Sequence, residues 1–299
     1  MVSETVRTAR HWGFTYRVRV RVRVRVGDEP VLAPILLLGG AFQDMHSWRR
    51  HEELLVRHAD VVTVDLPGWG AADHLPADVG VDFLAETAAH ALDQVGVRRV
   101  NLVGCSYGSL IAHRFAQRYP ERVVRLVLNG VATGLTPEEQ RTLEGLVQRL
   151  PDCDGREFAE AVTELLSPAL PGRPVRRGEV IRQVLTARLS GLTADARRKF
   201  ASNTMRLCTD VLLEPHPAPA VPTVVVSGAQ DTFTTPEHGH RLALVYPHAA
   251  CLTIGEADHL LLLQRDVEFC ELLVTHFRGG RTDVLPFCVP CPRGHEEDR

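Results

Sequence analysis

A chain of 299 residues with a formal net charge of −3 and 44% hydrophobic residues is long enough for one large domain with an insertion, and it carries no excess charge that would mark a nucleic-acid binder. No apolar run approaches the roughly 20 residues of a bilayer-spanning helix, and residues 1–13 are polar with no signal-peptide core, so a cytoplasmic protein without a membrane partner is expected. The seven cysteines lack disulfide-framework spacing and read as reduced thiols, and Lys199 is the only lysine.

In chain order, arginine and valine alternate over residues 16–26. That period of two predicts a strand with valines on one face and arginines on the other, the arginines forming the solvated face of an edge strand. No aromatic residues interleave with the arginines, which argues against a nucleic-acid surface. Ile35-Leu36-Leu37-Leu38 predicts a buried strand that runs into Gly39-Gly40-Ala41-Phe42. A helix over residues 47–58 follows, with Ser47 as its cap. The next expected strand, 61–64, stops at Leu66-Pro67-Gly68-Trp69-Gly70, and a helix covers 81–95. Val100-Asn101-Leu102-Val103 predicts a strand, residues 109–119 a helix and 123–128 another strand.

The alternation then breaks. Residues 132–216 show only helical spacing and prolines, with apolar residues such as Leu143, Leu146 and Leu150 or Phe158, Val162 and Leu165. Strand patterns resume at 223–226 and 251–254, a last helix is expected over 260–277, and the Pro- and Gly-rich residues 279–299 read as a loosely held tail. The expected fold class is α/β, a mostly parallel sheet flanked by helices, with a core of 1–131 and 217–278 and a helical insertion at 132–216.

In such sheets chemistry gathers beyond the carboxyl ends of the strands. One end carries Gly104-Cys105-Ser106-Tyr107-Gly108, a G-x-S-x-G between strand and helix. Serine is a weak nucleophile until it is exposed beside a base, and a sharp strand-to-helix turn with flanking glycines projects Ser106 at its tip. Among fourteen histidines the base is expected to be His259, on a loop after a strand. His74 is its best competitor, while His46, His51, His58, His90, His113 and His276 lie in or beside helices and read as solvent-facing. The orienting acid is expected to be Asp231, just past Val226-Ser227-Gly228; Asp258 adjoins His259 and must point elsewhere, and Asp65 precedes the nucleophile. Two backbone N–H groups, those of Ala41 and Tyr107, suit an oxyanion hole.

These pieces together resemble the α/β-hydrolase fold family, in its lid-bearing branch of small esterases, lactonases, C–C hydrolases and related acyl-transfer enzymes. The matching residues are Leu38 to Phe42 with Ser47-Trp48, Asp65 to Gly70, Gly104 to Gly108, Pro222 to Asp231 and Asp258-His259, in the order Ser, Asp, His. Departures are Gly39-Gly40 where many members have His-Gly, Trp69 where a small residue or histidine is common, and Phe42 in place of proline. The resemblance implies acyl transfer through Ser106, a lid at 132–216, and substrate contacts from Gly40, Phe42 and Trp69. It implies no cofactor and no metal, and a small, apolar acyl compound as substrate. The same residues suit an acyltransferase or cyclase, or a ligand receptor that keeps the fold. Cys288-Val289-Pro290-Cys291, with His295 nearby, lacks the second pair of a zinc site and reads as extended tail.

Overall fold

A computed structural model describes residues 2–23, 32–131, 134–150, 153–209, 214 and 216–291. Among these, nine strands form one sheet in the order β1-β2-β4-β3-β5-β6-β7-β8-β9. The strands are β1 Val2–His11, β2 Phe14–Arg23, β3 Ile35–Leu38, β4 Val61–Asp65, β5 Val100–Cys105, β6 Val123–Asn129, β7 Thr223–Gly228, β8 Ala249–Ile254 and β9 Cys288–Pro290. The six central strands run parallel, while β2 and the edge strands β1 and β9 are antiparallel to their neighbours. The helices are α1 Arg49–Leu55, α2 Val81–Gln94, α3 Tyr107–Arg118, α4 Pro137–Arg149, α5 Gly155–Leu166, α6 Gly178–Ser190, α7 Ala194–Thr209, α8 Pro236–Val245, α9 Leu261–Gln264 and α10 Asp266–Phe277.

Successive strand residues face opposite sides, so an all-apolar strand serves two cores at once. Leu36 and Leu38 of β3 pack with Leu84, Leu110 and Phe115 on one face. Ile35 and Leu37 pack with Leu55, Phe269 and Leu273 on the other. A third, smaller core of Leu146, Phe158, Val162, Leu189 and Phe200 belongs to α4–α7, which lie in the chain between β6 and β7.

Several expectations need correction. The Arg-Val strand is not at an edge, because β1 pairs along its whole length. Residues 24–26 of that tract lie outside the described residues. Its arginine face is not wholly solvated either: Arg19 is 5% exposed and its partner Glu52 0%. The Glu52 carboxylate from α1 pairs with both Arg19 and Arg21, and Arg19 also donates to Thr63 Oγ1 (3.2 Å) and the Met45 carbonyl (2.6 Å). A charged strip therefore supports the sheet from inside, paired as a buried charge must be. Ser47 is not a helix cap: α1 begins two residues later, and the Ser47 hydroxyl bonds Asp44 (2.8 Å). The final helix is interrupted at Arg265. The tail is held to Cys291: β9 pairs with β8, and a disulfide joins Cys251 to Cys291, whose Cα atoms are 5.3 Å apart. That pair overturns the reading of all seven cysteines as reduced thiols. Local spacing could not reveal it, since the partners are 40 residues apart. His295 lies outside the described residues.

Three helix-borne histidines also turn inward. His51 bonds the Leu262 carbonyl (3.1 Å), His276 the Pro222 carbonyl (3.2 Å), and His113 both Tyr246 Oη (2.5 Å) and the Glu214 carbonyl (3.0 Å). Burial pushes His113 and His276 down to about 4.

Two outcomes follow. Glu52→Ala leaves Arg19 buried without its counter-charge and should destabilise by about 3–5 kcal/mol, read as a lower urea midpoint, while Arg19→Met with Glu52→Leu should recover most of it. For His113 and His276 the unfolded chain binds protons from about pH 6.5 downward and the folded chain only near pH 4. Their contribution is therefore complete above about pH 6.5 and is lost progressively as pH falls toward 4, on the order of 3 kcal/mol each. His113→Gln and His276→Gln should each flatten the fall of unfolding midpoint over that window.

Candidate active site

β5 ends at Cys105, and Ser106, the residue between it and α3, takes φ 52° and ψ −120°. A non-glycine residue in that region costs about 1–3 kcal/mol and persists only where its surroundings fix it. Here the Ser106 N–H donates to the Asn129 carbonyl (2.8 Å) and α3 starts at the next residue. The flanking glycines are sterically required. A Cβ on Gly108 would lie 2.2 Å from the Leu38 carbonyl oxygen, and one on Gly104 would lie 2.5 Å from the Gly108 carbonyl oxygen.

The end of β8 brings His259 to the same place. A Cβ on Gly228 would strike the Asp258 carbonyl at 2.3 Å, so the loop after β7 and the loop after β8 press together. Ser106 Oγ lies 2.9 Å from His259 Nε2, and His259 Nδ1 lies 2.9 Å from Asp231 Oδ2. A carboxylate only accepts, so Nδ1 carries the proton and Nε2 is left as acceptor for the serine hydroxyl. Asp231 and His259 are both buried. Asp231 Oδ1 accepts from the N–H groups of Phe233 (2.9 Å) and Thr234 (2.8 Å), which fix the carboxylate plane. Phe233 sets its ring edge-on to the imidazole at 5.1 Å.

The competitors lie elsewhere. His74 bonds Ser202 (2.8 Å). Asp65, raised by burial, accepts from the N–H groups of Met45 (2.7 Å) and Ala71 (3.1 Å) and organises the loop after β4. Asp258 turns away as expected, accepting from Ser167 Oγ (2.5 Å) and Gln264 Nε2 (2.6 Å). Burial pushes the Cys105 thiol up, which removes it as a competing nucleophile.

A cavity of about 170 Å³ opens over Ser106. Gly40, Ala41, Phe42 and Tyr107 line it, with leucines and Phe200 from the α4–α7 insertion above. The turn after β3 is held at both ends of Gly40: its N–H donates to Gln43 Oε1 (2.8 Å) and its carbonyl accepts from Trp69 Nε1 (3.0 Å). Gly40 N–H is thereby occupied; Ala41 follows it at the cavity wall, and Tyr107, which also lines the cavity, is the first residue of α3. Trp69 does not line the cavity. It is buried behind the turn with its ring edge against Tyr107 at 4.9 Å, so it supports the site and does not face a substrate. Trp48 is likewise core. Phe42 stacks on Phe200 (4.7 Å), tying the turn to the insertion.

Sequence reading missed Gln43, Thr234 and Arg188. Gln43 sits three residues after Gly40, a spacing that a turn-closing amide could have suggested. Arg188 of α6 lines the cavity and reaches Ser47 Oγ (3.0 Å). Apart from the titratable His259, it is the one charged side chain among the described lining residues. No group of three or more His, Cys, Asp or Glu among the described residues is placed to hold a metal ion, and no described helix is long and apolar enough to cross a membrane.

The chain is similar to known proteins over most of its length. A hydrolase from Paraburkholderia phymatum named for 2-hydroxy-6-oxononadienedioate and 2-hydroxy-6-oxononatrienedioate is 27% identical over 231 residues, covering 72% of this chain and 75% of the relative. The pimeloyl-[acyl-carrier protein] methyl ester esterase of Chromobacterium violaceum is 27% identical over 250 residues, covering 78% and 92%. The crystal structure of the enol-lactonase of Burkholderia xenovorans superposes with a TM-score of 0.75 at 21% identity, covering 91% of this chain and all of that one (100%). With residues 33–266 matching the model of the alpha/beta hydrolase fold, the chain belongs to the α/β-hydrolase family.

Proposed function

We propose that the chain is a serine hydrolase that cleaves an ester, lactone, thioester or carbonyl-adjacent C–C bond of a small acyl compound through an acyl-enzyme. The connected path from Ser106 Oγ through His259 to Asp231 at the floor of an apolar cavity carries this reading. Ser106 attacks the carbonyl carbon while its proton passes to His259 Nε2. The Nδ1–H of the resulting imidazolium stays bonded to Asp231. The tetrahedral oxygen is held by the N–H groups of Ala41 and Tyr107, the second at the positive end of α3. Nε2–H then protonates the leaving atom and the carbonyl reforms as the acyl-enzyme. Water then attacks the acyl carbonyl as Nε2 takes its proton, and Nε2–H returns that proton to Ser106 Oγ as the bond to serine breaks and the acid leaves. Helices α4–α7 act as the lid that shields these charges from bulk water.

The cavity lining favours an apolar acyl body, and Arg188 adds a refinement. A lone cation facing an apolar chamber is suited to a carboxylate at the far end of the substrate. The relative from P. phymatum is named for a dioate, a substrate with such a group.

A fluorophosphonate probe should label the wild type at one site and fail to label Ser106→Ala; an unlabelled wild type would remove the reading. With any ester substrate found, Ser106→Ala or His259→Ala should lower kcat by about 10⁴-fold or more. Arg188→Gln should raise KM about tenfold for a substrate ending in a free carboxylate and leave its methyl-capped counterpart unchanged. An equal effect on both would assign Arg188 to packing at the rim.

A further inference from the structure

The loop after β7 contributes a second polar side chain to the centre of the site. Thr234 is 4% exposed, and its Oγ1 lies 2.8 Å from Asp231 Oδ2 and 2.9 Å from His259 Nδ1. The three atoms form a nearly equilateral triangle. Gly130, at φ +60°, leaves room on the other side; a Cβ there would lie 3.2 Å from Thr234 Oγ1 and 3.3 Å from His259 Cε1.

The proton count fixes who donates. The carboxylate only accepts and Nδ1–H only donates, so the threonine proton goes to Asp231 Oδ2. Oδ2 thus takes two donors, Thr234 Oγ1–H and His259 Nδ1–H, while Oδ1 takes the N–H groups of Phe233 and Thr234. Thr234 supplies two of these four hydrogen bonds.

We propose that Thr234 is a positioning residue that orients Asp231 and limits how strongly its carboxylate holds the protonated form of His259. The proposal rests on the serine-hydrolase reading. Two donors on one oxygen share its charge, so each bond is weaker than it would be alone. Nδ1–H is drawn to the charged oxygen in preference to the neutral hydroxyl, so the threonine acts through Oδ2. Without the hydroxyl, Oδ2 gives its full charge to Nδ1–H. The gain is largest when the ring is cationic, because that bond is then charge-assisted on both sides. The base is therefore blocked by protonation at a higher pH. The hydroxyl extends activity toward acid.

Other charges around the imidazole do not supply this control. Asp258, next in the chain, is committed to Ser167, Gln264 and the Leu260 N–H. Cys105, beside the nucleophile, is held as the neutral thiol by burial. Arg188 faces the same cavity from α6, and its charge is unchanged by any substitution at 234.

The test is the pH dependence of the fluorophosphonate labelling rate in Thr234→Val and Thr234→Ser, with Thr234→Ala replacing the valine variant if that one does not fold. Thr234→Val should move the acid limb up by about half a unit to one unit, so that labelling slows roughly three- to tenfold on that limb and little on the alkaline plateau. Thr234→Ser should restore the wild-type limb. A merely structural role would lower the rate equally at all pH values, and that result, or an unmoved limb, overturns the proposal. The far-downfield proton resonance of His259 Nδ1–H reads the same bond without turnover. It should move further downfield in Thr234→Val and return in Thr234→Ser. An unlabelled wild type would defeat the hydrolase reading alone, since this resonance still decides on Thr234, and an unchanged resonance overturns its role.

Discussion

The site depends on one steric fact: the backbone at residue 108 touches the end of β3. With no Cβ at that position, α3 begins within van der Waals distance of the Leu38 carbonyl, and the turn at Ser106 is driven into its strained conformation. Strand β5, the turn after β3 and the N-terminus of α3 are brought together by that contact. Ser106, the proposed oxyanion donors and the floor of the cavity come from those three pieces. The sheet supplies the rigidity that such strain needs, since β5 is paired on both sides by parallel strands. The same economy recurs between β7 and β8, where Gly228 allows the loops bearing Asp231 and His259 to press against each other. Close backbone approach, permitted by glycine at two places, sets the geometry that the side chains then use.

Around this frame several buried polar side chains are matched to backbone partners. Gln43 and Trp69 take the two polar atoms of Gly40, and Asp65 takes two N–H groups of flanking loops. Each of these side chains would cost several kcal/mol if left unpaired, so each fixes a loop in one arrangement. Glu52 does the same at larger scale, joining α1 to β2 through two guanidinium groups. The catalytic loops rest on polar contacts, while the apolar cores on the two faces of the sheet hold the strands that carry them.

Much of the fold was legible because its signals are local. The apolar run Ile35 to Leu38, bounded by Pro34 and Gly39-Gly40, carries its own strand signal, and a serine between spaced glycines after a strand is a turn of one kind. The order Ser106, Asp231, His259 and their loop positions then narrowed fourteen histidines to one. What stayed hidden depends on neighbours that the sequence does not name. Arg19 of β2 is buried because β1 covers the strand's edge and α1 places Glu52 against its face. Trp69 lies beside Gly40 in space but far from it in the chain, and it supports the turn instead of lining the mouth. Cys251 meets Cys291 because a three-residue strand in the tail adds to β8. Thr234 was invisible for a different reason: its position beside Asp231 was plain, but only the meeting of two loops shows that its hydroxyl reaches the imidazole's partner.

The insertion is not held uniformly, and that bears on how such a chain can change its substrate. Lys199, Asn203 and Arg206 lie on one face of α7 by helical spacing. Lys199 Nζ donates to the Gly70 carbonyl (3.0 Å) and Asn203 Nδ2 to the Gly68 carbonyl (3.0 Å). Arg206, fully buried, donates to the carbonyls of Val79 (2.5 Å) and Pro76 (2.7 Å) and to Tyr107 Oη (3.1 Å). A guanidinium bonded to backbone carbonyls cannot be released without stranding acceptors on both sides. Helix α7 is thereby part of the core that positions Tyr107. Helices α4 to α6 contribute chiefly apolar side chains to the cavity, which can be exchanged for others of similar volume at little cost in stability. Specificity can therefore drift in those helices while α7 and the loops beneath it keep the chemistry fixed.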